Sequence, residues 1–260
     1  MKGKKKRLTG WIVALIWLLL WTLAAAWMGK PLLLPGPMDT LRALFQMGRT
    51  ADFWHSVGLS VLRVMTGYAV AVAVGSVLAF ACHFVSVLDA FLSPLRTMIR
   101  TTPVTSFIIL VLLWLSNEST PAFIAFLMVL PIMWTHVQDA LANTDKQLLE
   151  MSHCYRFGKM TRLVHLYIPS VVPEFASACA TGLGFAWKSG IAAEVIAKPM
   201  FSIGKNLQDA KVYLETPELF AWTLVVILLS LALEKGLKAV LKRINGQEGR
   251  RAKRRFVLIT

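Results

Sequence analysis

Apolar residues fill six stretches of the chain, 11–28, 57–84, 98–115, 122–137, 171–197 and 219–241, and polar or helix-breaking residues fill the gaps between them. An α-helix needs roughly 20 apolar residues to cross a bilayer, and each stretch is near that length, with 122–137 short. The pattern predicts six helical spans. The gap after the first holds Pro31, Pro35, Gly36 and Pro37, which cannot continue a helix, and Asp39 is placed to cap a short surface helix running through Phe45. The gap after the third is a polar turn from Ser116 to Pro121. A cleaved signal peptide, processed at Ala24, Ala25 and Ala26, is the rival reading of the first stretch. That stretch is longer than a signal core and bulky Trp27 follows the alanines, so a retained helix is expected.

Composition supports the membrane reading. Hydrophobic residues make up 56% of the chain and charged residues only 16%, with a mean hydropathy of +0.60. Soluble domains carry about a quarter charged residues, so these apolar residues cannot all face one internal core. The net charge of +14 would suit nucleic acid, but no folded domain is left over to hold bases. The basic residues sit instead beside the spans. Lys2, Lys4, Lys5, Lys6, Arg7, Lys146, Arg156, Lys159 and Arg162 fall on one side, and Lys30, Arg42, Arg49, Lys205 and Lys211 on the other. The excess of cations places both termini in the cytoplasm. The organisation read from this is a basic cytoplasmic N-terminus at 1–10, a single six-span unit at 11–243 with a cytoplasmic loop at about 141–168, and a basic cytoplasmic tail at 244–260.

Catalytic and metal chemistry finds little support. Cys82, Cys154 and Cys179 lack CxxC spacing, and His153 beside Cys154 lacks further ligands. His83, or His136 with Asp139, offers an intramembrane enzyme too few converging groups, so no enzymatic activity is expected. Gly182 to Ser189 approaches the phosphate loop GxxxxGK[ST], but Trp187 stands at the second glycine and the stretch lies in a span. No cofactor is therefore expected in this chain.

Small residues recur every fourth position in two spans, as Gly67, Ala71, Gly75 and Ala79 and as Ala178, Gly182, Ala186 and Gly190. Such rows let helix backbones approach closely, and tight packing is preferred here over a mobile pore face. Arg63, Glu174, Lys188, Glu194 and Lys198 lie in or beside spans, where an unpaired charge is costly. Glu194 and Lys198 are four apart and suited to pair. Arg63 and Lys188, with Trp187 and Glu194 nearby in sequence, are the candidates for a translocation path that favours an anionic or polar solute.

The most informative segment is 145–173, an amphipathic loop between the fourth and fifth spans. It resembles the EAA loop of permeases in binding-protein-dependent ABC importers: Glu-Ala-Ala, three residues, Gly, nine residues, Ile, one residue, Leu-Pro. Glu150, Met151 and Ser152 open the match and Leu166, Ile168 and Pro169 close it. Both alanines are replaced, Arg156 stands where Gly belongs, and Gly158 lies two positions late. The resemblance covers about residues 31 to 243 and is nearest the nitrate/sulfonate/taurine branch. Its other pieces are Leu34 to Pro37, Phe53 with Trp54, Ser60 to Val64 with Gly67, Pro103, Ala186 with Trp187, Ala192 to Glu194, and Ile203 with Gly204. A departure falls at Leu115 to Ser119, where the branch commonly has a glycine-containing turn.

The resemblance implies an all-α, type I importer permease with six spans and a coupling-helix loop. Glu150, Met151, Ser152, Tyr155, Arg156, Gly158, Ile168 and Pro169 would meet an ABC ATPase subunit, which would bind the ATP and Mg. It further implies a second permease copy, an extracellular substrate-binding protein and a bacterial plasma membrane. A self-sufficient secondary transporter is the alternative, but the paired repeat it needs is not evident.

Overall fold

A computed structural model describes the backbone of residues 2–30 and 32–257 and the side chains of 12, 13, 15–30 and 32–242. The side chains of the basic N-terminus (1–10) and the basic tail (244–260) lie outside the described residues. The described chain is helical: α1 (Lys2–Met28), α2 (Pro37–Met47), α3 (Ala51–Phe84), α4 (Ser86–Thr101), α5 (Val104–Val111), α6 (Thr120–Ala142), α7 (Lys146–Cys154), α8 (Lys159–Arg162), α9 (Ile168–Ala197), α10 (Ile203–Val212) and α11 (Thr216–Val257). Among the described residues three helices are long and apolar enough to cross a membrane: α3, α6 and the continuous helix Lys159–Ala197.

These three form the centre of the protein, with α6 packed between α3 and α9. The small-residue rows explain the closeness. Every member of both rows is buried. A Cβ added at Gly67 would lie 2.0 Å from the Ala122 carbonyl oxygen, and one at Gly75 would lie 2.8 Å from the Met133 Cβ. Gly190 leaves room for Val64, whose Cγ2 would lie 2.5 Å from a Cβ added there. Tight packing is the reading borne out, since the rows face neighbouring helices. Around them Trp134, Met133, Val129 and Trp187 fill the core, joined by Trp222 and Val225 of α11.

The third predicted span is different. Residues 98–115 are not one helix, because Pro103 drives Thr102 into extended backbone (φ −78°, ψ 134°) and separates α4 from α5. Helix α4 begins much earlier than the apolar pattern indicated, at Ser86, and is amphipathic. Its Val87, Phe91, Leu95 and Met98 are exposed, while Arg96 donates to the Gln138 side chain of α6 (2.5 Å) and Gln138 donates to Asp89 (3.0 Å). Helix α5 has eight residues and buries Ile108 and Val111 against Ile124 and Ala193.

Smaller differences have local causes. Gly36 precedes α2 and Pro37 opens it, so Asp39 sits in the first turn and not at the cap. Helix α6 runs five residues beyond the predicted 122–137, to Ala142. Gly182 to Ser189 lies wholly within α9, which disposes of a phosphate loop there.

Candidate functional site

Two clusters of side chains stand out, one at each end of the central helices. At the end where α3 and α10 begin, Glu194 in the last turn of α9 is fully buried. Its Oε2 accepts from the Ser60 hydroxyl of α3 (2.8 Å) and from the Gly204 amide at the start of α10 (3.1 Å). Ser60 Oγ in turn accepts from the Ile203 amide (2.9 Å). The Arg63 guanidinium, one turn along α3, lies 3.7 Å from Glu194 Oε1 and pairs with Glu118 from the turn before α6. It also donates to the Met200 and Phe201 carbonyls (3.0 and 3.1 Å), and Glu118 accepts from the Met200 amide (2.7 Å).

The knot therefore ties four separate segments together. It needs a reversal of the chain after α9, supplied by Lys198 and Phe201 in left-handed backbone (φ 50° and 47°). It also needs backbone at van der Waals distance, which only glycine permits at 204: an added Cβ would lie 2.3 Å from Glu194 Cβ. Burying a carboxylate is tolerable because a cation and two donors surround it. Lys198 is exposed, and the expected Glu194–Lys198 pair is replaced by Arg63 and Ser60.

The sequence pieces that carried the resemblance converge here. Ser60, Arg63, Glu194, Ile203 and Gly204 come from three of them and meet at one point. Glu118 comes from the turn where the chain departs from the pattern. Reading the sequence missed Ser60, Glu118 and Gly204 as partners; the available signal was several short polar motifs each lying next to a span end.

Trp187 and Lys188 separate. Trp187 is buried and donates from Nε1 to the Val226 carbonyl of α11 (3.1 Å). Lys188 is exposed on a stripe of α9 that also carries Glu174, Ser177, Thr181 and Phe185. At the far end of this stripe Glu174 Oε2 lies 3.6 Å from His136 Nδ1.

At the opposite end of the helices lies 145–169. Asp145 caps α7 by accepting from the Gln147 amide (2.8 Å). Ser152 is buried and anchors the helix, whereas Glu150, Met151 and Tyr155 are exposed, as are Leu148 and Met160 nearby. Helix α7 ends in a Schellman turn: the Phe157 amide donates to the Ser152 carbonyl (2.9 Å) and the Arg156 amide to the His153 carbonyl (3.0 Å). That turn puts its C′ residue, Arg156, at φ 51°. Position 156 is where the EAA pattern has glycine, and the left-handed conformation gives the physical reason. Gly158 precedes α8 with an ordinary φ of −61°. Ile168 and Pro169 lie at the start of α9 after a π-helical turn, Leu163–Tyr167. Pro169 has no amide to bond back to His165, and Ile168 donates instead to Leu163, five residues earlier.

Bilayer-length helices knotted together at one end, with an exposed amphipathic loop at the other, are the frame of an integral-membrane protein. The chain belongs to the family of binding-protein-dependent transport system inner membrane components, whose sequence model matches residues 71–245. Among its relatives is the taurine transport system permease protein TauC of Escherichia coli, 23% identical over 235 residues that cover 88% of this chain and 85% of that one. The putative aliphatic sulfonates transport permease protein SsuC of Escherichia coli is 24% identical over 213 residues, 81% of this chain and 80% of that one. The formylaminopyrimidine transport permease protein ThiX of Halalkalibacterium halodurans is 23% identical over 177 residues, 67% and 70% of the two chains. This protein is thus a multi-pass permease component of an ABC importer, from a family of transport components that are not themselves catalysts.

Proposed function

We propose that the chain crosses a bacterial plasma membrane six times with both termini in the cytoplasm, and that a second copy completes its translocation path. The loop 145–169 then docks on an ABC ATPase subunit that binds ATP and Mg, and an extracellular binding protein delivers the solute at the α10 end. The observation that carries this reading is the α7 surface. Met151 and Tyr155 stand exposed beside Glu150 on a short helix beyond the end of α6, and a protein partner would cover them.

The solute is a small polar molecule, and a sulfonate or another anion fits best. Lys188 supports this, because a charged residue exposed on a membrane helix belongs beside water or another subunit and not beside lipid. It shares its stripe with Thr181 and Glu174, at intervals of seven residues. Arg63 serves the knot, so Lys188 is the better candidate for contact with the solute. TauC and SsuC are named for taurine and for aliphatic sulfonates, both sulfonates.

Affinity purification from the native membrane tests the assembly. The tagged chain is expected to bring down an ATPase subunit, and Glu150→Lys to lower that recovery about tenfold at unchanged expression. Recovery of the chain alone, under detergent that preserves comparable complexes, would overturn the reading. Unchanged uptake of an anionic solute by Lys188→Met would remove Lys188 from the path.

A further inference from the structure

Where α3 ends and the helix leading into α9 begins, a cavity of about 530 Å³ opens to the surface, lined by Phe84, Lys159, Met160, Arg162, Leu163 and Tyr167. Its chemistry is divided. Phe84, Met160, Leu163 and Tyr167 make an apolar wall, and Lys159 and Arg162 make a cationic rim with no carboxylate among the lining residues. Lys159 is exposed and engaged in no ion pair among the described residues; Arg162 is held half-buried by the Phe157 carbonyl (3.3 Å) and by His153 Nε2 (3.2 Å). The wall is built, not incidental: Tyr167 packs edge-on against Phe84 (5.5 Å between ring centres) and His83 (5.7 Å).

The apolar wall continues into exposed hydrophobic surface. Phe84, Val85, Val87 and Phe91 run from the cavity along α4, each at least half exposed. On a chain that crosses a membrane, such a surface faces acyl chains. Two cations where apolar helix surface gives way to a charged loop match a phosphate headgroup, and the adjoining wall matches the acyl chain attached to it.

We propose that this cavity is a binding site for one anionic phospholipid of the cytoplasmic leaflet, its phosphate between Lys159 and Arg162 and an acyl chain against Met160, Leu163 and Phe84. The lipid would sit at the root of the loop 145–169, so its headgroup charge would steady the segment that joins the loop to α9. The leaflet assignment rests on the reading of that loop as cytoplasmic.

The test is native mass spectrometry of the full-length purified protein titrated with phosphatidylglycerol and, separately, phosphatidylcholine of the same chain length. One phosphatidylglycerol per chain is expected to be retained in preference to phosphatidylcholine. Each cation near an anionic headgroup contributes about fivefold in affinity. Lys159→Gln, which disturbs no hydrogen bond, should therefore weaken retention about fivefold, and Lys159→Gln with Arg162→Gln about 25-fold. Equal retention by wild type and both variants would overturn the site. Displacement of the lipid by inorganic phosphate or glycerophosphoglycerol at comparable concentration would also overturn it, because the acyl chain would then contribute nothing. Sidedness is read separately from exposed Cys154 on α7, with a charged maleimide applied to urea-washed right-side-out and inside-out vesicles. Labelling only from the outside overturns the cytoplasmic loop and the leaflet with it. Labelling from the inside without selective lipid retention overturns the lipid site alone.

Discussion

The two ends of the α3–α6–α9 block solve opposite problems with opposite chemistry. At the α10 end, Glu194, Arg63, Ser60 and Glu118 bond to one another and to the backbone amides and carbonyls around them, with Glu194 buried and Glu118 at the exposed edge. At the α7 end the described hydrogen bonds stay within the loop, and Met151 and Tyr155 are left exposed. A buried polar knot fixes one geometry because each member is costly to leave unpaired. The loop at the other end is closed by its own cap and turn and presents apolar surface outward.

Removing Arg63 should break that contrast most strongly. Arg63→Met leaves Glu194 buried without its cation, a loss of about 3–5 kcal/mol where a buried pair loses one partner. The apparent melting temperature of the purified protein should fall well below wild type, and an unchanged value would mean the knot adds no stability. Gly67→Ala comes next: its Cβ meets the Ala122 carbonyl and forces α3 from α6, at about 1–3 kcal/mol. Gly58→Ala, with nothing within 4 Å, should be stabilising by about 0.5–1 kcal/mol and serves as its control. If both alanines behave alike, the close approach of the two helices is wrong.

Ser60→Ala should cost about 1–2 kcal/mol, since it strips a donor from Glu194 and an acceptor from the Ile203 amide. The same melting experiment reads it, and it should not alter ATPase recovery. The last expected effect is a gain at the other end of the molecule. Arg156→Gly removes a side chain from left-handed backbone and should stabilise the Schellman turn by about 1 kcal/mol. Hydrogen exchange of the α7 amides should slow; faster exchange would show that the Arg156 side chain holds the loop.

Much of this arrangement was legible in the sequence, and the misses follow a physical line. Long apolar runs located α3, α6 and α9, because a bilayer-length helix is a local property. The four-residue rows of Gly and Ala marked the contact faces of α3 and α9 for the same reason. The break at Thr102 was carried by Pro103 and hidden by the apolar residues on both sides of it, and the amphipathic α4 was lost because its charges interrupt the hydropathy. The knot was not legible as a knot. Ser60 and Glu194 are 134 positions apart, and Lys198 stood close enough in sequence to claim the carboxylate first. The left-handed Arg156 was visible only as a substitution at a glycine position, until its φ supplied the reason.

The glycine rows have one further consequence. Gly67 and Gly75 set α3 against the α6 backbone, and Gly182 and Gly190 of α9 receive the Val129 and Val64 side chains, so a tilt of one of these helices must carry its neighbours or break those contacts. Helix α9 has 30 residues, or about 45 Å at about 1.5 Å per residue. Tilting such a rod by about 5° about one end carries the other through about 4 Å, a shift of the size that rigid-body transitions use. A tilt of α9 about its loop end would therefore displace Glu194 by that distance, and the knot around it would have to travel too.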